Sequence, residues 1–94
     1  MGEGWAVPAG LEFLLPRFRQ EMAADLAELG RLAGGARDEL AAHVHAMRGK
    51  CAMFGVNAAD PVLAALESWA EGAGEGELAI LLDRVVATFR RLGL

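Results

Sequence analysis

Apolar residues return every three or four positions along most of this chain, and glycine or proline closes each run. In the first run Phe18, Met22, Leu26, Leu29 and Ala33 step by four and three until Gly34-Gly35 ends the pattern. The second, from about Ala36 to Phe54, carries Leu40, Val44, Met47, Cys51 and Phe54, with Gly55 as its stop. Asn57 to Pro61 form a connection in which Asp60 suits an N-cap and Pro61 a first helical position. A third run points Leu63, Leu66 and either Trp69 or Ala70 inward, and "GAGEG" (72–76) breaks it. The last, about Glu77 to Leu92, carries Leu78, Leu82, Val85, Phe89 and Leu92. "LEFLL" (11–15) reads as a short helical turn, because Pro16 disfavours helix at Leu15 and suits the start of a new one.

No strand-like alternation appears, and alanine and leucine dominate with no tyrosine, which favours helices. Such helices, joined by short loops, bury their stripes most simply against one another. The predicted fold is therefore all-α: an antiparallel four-helix bundle, up-down-up-down, with a short extra N-terminal helical turn. It occupies residues 11–94 as one domain, and residues 1–10 form a loose lead-in, from which Trp5 packs where it is ordered. With 94 residues, 54% of them apolar, the chain can build a modest core but no large enclosed active site.

Charge and cysteine usage narrow the function. The net charge is −4 and the arginines are scattered, so the basic patch that nucleic acid requires is missing. One cysteine excludes an internal disulfide and a cysteine-rich zinc site, and it suits a reducing compartment. The N-terminus shows no signal peptide, Ala6 stands where a myristoylation signal needs Ser or Thr, and no apolar run reaches membrane length. The expectation is a cytoplasmic, monomeric protein with no membrane or nucleic-acid partner.

Both histidines lie in "AAHVHAMRGKCAMFG" (41–55), inside the second helix. At about 100° per residue, with the apolar stripe as origin, His43 lies near roughly −60°, on the shoulder of the core, and His45 near roughly 140°, almost opposite it. Two rings about 160° apart cannot grip one metal ion, which on a helix needs i, i+3 or i, i+4 spacing. His43 reads as a hydrogen-bonded residue at the core edge, Cys51 as a buried thiol and Lys50 as a solvated flank.

His45 is different because its surroundings are small: Ala41, Ala42, Gly49 and Ala52. Arg48 is the one large polar group clearly on its side. Such a bare face lets a bulky group approach the ring. Gly49 costs about 1 kcal/mol of helix propensity relative to alanine, and close approach by another backbone or a phosphoryl group would explain it. An exposed imidazole is a ready nucleophile near neutral pH, and a guanidinium one turn away matches phosphoryl oxygens. No carboxylate, serine or second histidine stands in position for a hydrolytic triad, and no phosphate-cradling loop is present. The phosphoryl group would have to be delivered.

These residues resemble the histidine-containing phosphotransfer (HPt) domains of bacterial two-component phosphorelays. Their signature is an accessible histidine, two residues, Lys, then Gly, and a further Gly ten positions after the histidine. Here it stands as His45, Arg48, Gly49 and Gly55. "VLAALE" (62–67) resembles the family's Leu-x-x-Leu-Glu, and "FLLPRFRQEMAADLAEL" resembles its preceding helix. The likeness spans roughly residues 11 to 92. It implies that His45 accepts a phosphoryl group from a receiver-domain aspartyl phosphate and passes it to another receiver's aspartate. It implies that Arg48 steadies the phosphoryl oxygens, that Gly49 gives steric access, and that Ala41, Ala42 and Ala52 dock the partner, a receiver or a hybrid histidine kinase. No cofactor or metal of its own is implied, since the family's Mg²⁺ sits in the receiver. Two departures are Arg48 in place of lysine and Val44 before the histidine, where alanine is frequent. The alternative is a pseudo-HPt module that docks a receiver or kinase without being phosphorylated. A dimeric kinase-like bundle would need two-fold assembly and an ATP-binding partner domain.

Overall fold

A computed structural model describes residues 5–94. A 3₁₀ turn, Glu12–Leu14, runs directly into α1, Leu15–Leu32. Next come α2, Arg37–Met53, a second 3₁₀ turn, Asn57–Ala59, then α3, Asp60–Ala70, and α4, Leu78–Arg91. The described residues contain no strand, and the helices form the expected all-α bundle. None of these helices is long and apolar enough to cross a membrane. The short connections turn the chain back on itself each time, so consecutive helices are neighbours; α2 and α3 share the most extensive contact.

The stripes meet in one core. Phe18, Met22, Leu29 and Leu32 of α1 face Leu40, Val44, Met47 and Cys51 of α2, with Leu63, Leu66 and Ala70 of α3 and Val85 and Phe89 of α4 completing it. The Phe18 and Phe54 rings stack with centroids 4.3 Å apart. Cys51 is buried as expected, its thiol against the Met22 sulfur. Burial pushes that thiol up from 9.0 to about 12. Ala70 rather than Trp69 takes the inward position of α3, while Trp69 is half-buried with the Arg37 guanidinium 4.1 Å from its ring centre.

Gly55 has a structural duty. It closes α2 in the left-handed region at φ +72°, with its N–H donating to the Ala52 carbonyl and the Val56 N–H to the Cys51 carbonyl at 2.8 Å. A Cβ here would sit 2.3 Å from the Ala6 carbonyl oxygen, so the lead-in packs where only glycine leaves room.

Four expectations change. The lead-in is less loose than expected, because Trp5 does pack: it is buried, donates from Nε1 to the Leu92 carbonyl at 2.9 Å and lies beneath the Arg19 guanidinium. The indole bridges the two ends of the described chain; residues 1–4 of the expected lead-in lie outside the described residues. Leu15 is helical although it precedes proline, because the preceding 3₁₀ turn already sets its backbone. In α4 and its C-cap the buried set is Leu81, Val85, Thr88, Phe89 and Leu92, with Leu78 and Leu82 only half-buried at its edge. Leucines at 78, 81 and 82 all satisfy helical spacing, and the packing of the bundle selects among them. Finally, Asp60 is the first residue of α3 rather than its cap, and its carboxylate is spent elsewhere.

Candidate functional site

His45 projects from the middle of α2 with 75% of its side chain exposed. Its ring is nonetheless held: Nδ1 lies 3.1 Å from Oε2 of Glu67, on α3. An ionised carboxylate only accepts, so Nδ1 carries the hydrogen and donates it. In the neutral ring this places the Nε2 lone pair free on the outer side.

Glu67 is shared. Its Oε1 accepts from an Arg48 terminal nitrogen at 3.0 Å, and only 12% of the side chain is exposed. Arg48 in turn grips Asp60 with two donors, Nε to Oδ1 at 2.8 Å and the other terminal nitrogen to Oδ2 at 3.1 Å. The result is a continuous chain Asp60–Arg48–Glu67–His45 that bridges α2 and α3. Asp60 and Glu67 are seven residues apart, so helical geometry places them on one side of α3, about two turns apart, with Arg48 reaching between them. The guanidinium holds the Asp60 carboxyl below its usual range, and the two carboxylates hold Arg48 firmly protonated. Of the five N–H groups on the guanidinium, three are used, leaving two for another acceptor.

The expected absence of a carboxylate beside His45 is therefore corrected. Glu67 reaches it from another helix, which spacing along α2 could not reveal. The sequence did carry a signal, since Glu67 is the last residue of the "VLAALE" segment. No serine accompanies the pair among these contacts, so the arrangement orients an imidazole rather than completing a hydrolytic triad.

The other residues around His45 divide. Ala42, Gly49 and Ala52 are exposed, whereas Ala41 is half-buried and packs against the core. A Cβ added at Gly49 would meet nothing within 4 Å, so no contact within the fold requires glycine there. His43 sits at the core edge, its Nε2 3.0 Å from the Asp25 carbonyl of α1. Lys50 does more than solvate the flank: its ammonium pairs with the Asp25 carboxylate at 3.0 Å. The histidines thus serve opposite sides of α2, His43 joined to α1 and His45 to α3. Among the described residues no three His, Cys, Asp or Glu side chains cluster as metal ligands would.

The arrangement suits an imidazole that acts as a nucleophile through Nε2 while a carboxylate takes up the charge that develops on the ring. The family model described as "Hpt domain" matches residues 14–91, the span that holds all four members of the network. No curated protein and no solved structure matches the chain. Hpt domains act in phosphotransfer within phosphorelays and interact there with receiver domains or kinases. A match over so much of the chain, on a helical bundle with an exposed, oriented histidine, shows that the chain belongs to the Hpt domain family.

Proposed function

We propose that His45 is the phosphoacceptor of this Hpt domain, taking a phosphoryl group from a receiver-domain aspartyl phosphate and passing it to the aspartate of another receiver. The observation that carries the reading is the His45–Glu67 hydrogen bond on an otherwise exposed ring. The Nε2 lone pair attacks phosphorus, and the bond from phosphorus to the aspartyl oxygen breaks, returning its electrons to that carboxylate. The ring keeps its Nδ1 hydrogen and gains positive charge, which Glu67 offsets at 3.1 Å. Reversal of the same step loads the second receiver.

Arg48 steadies the transferred group with the two N–H groups its carboxylates leave unused, while those carboxylates keep its side chain in place. Gly49, Ala42 and Ala52 keep the approach to Nε2 low, so a receiver can bring its aspartate within bonding distance. The Mg²⁺ of the reaction belongs to the receiver, and the chain acts as a monomer in the cytoplasm.

Incubation with a phosphorylated receiver tests this. The expected product is an acid-labile, base-stable phosphoramidate on His45, absent from His45→Gln. Labelling of His45→Gln at the wild-type rate would overturn the assignment. A module that only docks would bind the receiver with or without His45 and take no label in the wild type.

A further inference from the structure

We propose that Asp60 is a positioning residue for phosphoryl transfer at His45, acting through Arg48 and Glu67. The inference rests on the reading of His45 as the acceptor. Asp60 binds the Nε edge of the guanidinium with two hydrogen bonds, 2.8 and 3.1 Å long. The guanidinium is planar and rigid, so holding that edge fixes the direction of the remaining terminal nitrogen. That nitrogen meets Glu67 Oε1 at 3.0 Å, and the other oxygen of the same carboxylate meets His45 Nδ1 at 3.1 Å. Each link therefore constrains the next.

Without Asp60, Arg48 would keep one anchor and regain the rotamer freedom of a long, partly exposed side chain. Glu67 would lose its fixed partner, and the ring tautomer would lose its restraint. A lysine at this position would offer only an ammonium, a point charge without the planar edge that lets one carboxylate orient another. The arginine and the aspartate are thus parts of one device.

A plain interhelix ion pair would contribute stability and leave the state of the His45 ring alone. The experiment separates the two using Asp60→Asn, Arg48→Gln and the double variant. The proportion of His45 rings with hydrogen on Nδ1 is read by ¹⁵N-detected NMR above the ring's titration, and transfer is read as label taken from a phosphorylated receiver. Asp60 is half exposed and its carboxylate is engaged by Arg48, so Asp60→Asn keeps the fold, which helicity and melting check. The expected result is a lower Nδ1–H fraction in Asp60→Asn and transfer slowed by roughly fivefold, the size of a network coupling. In the Arg48→Gln background the Asp60 substitution adds nothing further. A wild-type Nδ1–H fraction in Asp60→Asn overturns the proposal, and so does an Asp60→Asn effect of equal size with and without Arg48. The tautomer is read with no phosphoryl donor present, so a failure of His45 to take label would count against its function and not against this coupling.

Discussion

Replacing Glu67 by glutamine removes one charge and almost no volume, yet the geometry makes it worse than removing the side chain. Glu67 offers an oxygen to each neighbour, one to Arg48 at 3.0 Å and one to His45 Nδ1 at 3.1 Å. Arg48 has only donors, so a glutamine turns its oxygen toward the guanidinium and its NH₂ toward His45. Nδ1 must then accept, and the ring hydrogen moves to Nε2, the nitrogen that has to be bare. In Glu67→Ala the loss is the charged hydrogen bond, taken at about 1.5 kcal/mol because the ring is mostly solvated, or roughly tenfold in rate. In Glu67→Gln the ring must also give up a neutral hydrogen bond to recover the reactive tautomer, about 1 kcal/mol more, for a total of about seventyfold. Single-turnover transfer from a phosphorylated receiver should rank wild type above Glu67→Ala and Glu67→Ala above Glu67→Gln, with ¹⁵N spectra showing the switched tautomer in the last. Transfer by Glu67→Gln at or above the rate of Glu67→Ala would refute the tautomer reasoning.

Three further predictions follow from other parts of the molecule. Gly49→Ala should stabilise the domain by up to about 1 kcal/mol, since a Cβ there meets nothing, while transfer from a receiver falls about tenfold and labelling by a small phosphodonor is unchanged; wild-type receiver transfer would remove the access role of Gly49. Cys51 should resist alkylation in the folded protein at pH 8 and react on unfolding. Because its thiol is raised to about 12 when folded, the unfolded chain ionises first, so the stability linked to it is intact below pH 9.0 and is lost as the pH rises from there toward 12, which urea melts at stepped pH would follow. Trp5→Phe should cost about 1 kcal/mol through the lost bond to the Leu92 carbonyl, and Trp5→Ala about 3 kcal/mol, both read as melting temperature with transfer at His45 unaltered.

The helices were legible because punctuation and periodicity agree. Gly34-Gly35, Gly55 and the 72–76 segment each stop a stripe, and helical spacing alone put His45 outside and Val44, Met47 and Cys51 inside. What lay beyond reach were relations between helices. Three leucines near the start of α4 fit the stripe equally well, and only the bundle's packing shows that Leu81 faces the centre. Asp60 has every local feature of an N-cap, and a guanidinium on α2 claims it instead. Glu67 and Lys50 likewise find partners on another helix, and such pairing depends on packing angle and on how far a long side chain reaches. Trp5 stands apart for the same reason, since its acceptor is 87 positions away in sequence.

Gly49 sets two kinds of selection against each other. Variants sorted for folding alone would accept a methyl group there, because the helix gains and nothing in the chain objects. Variants sorted for passing a signal would refuse it, if the space belongs to a receiver's surface. A site where the two sortings disagree marks a partner's outline, carried in this chain as a missing carbon atom.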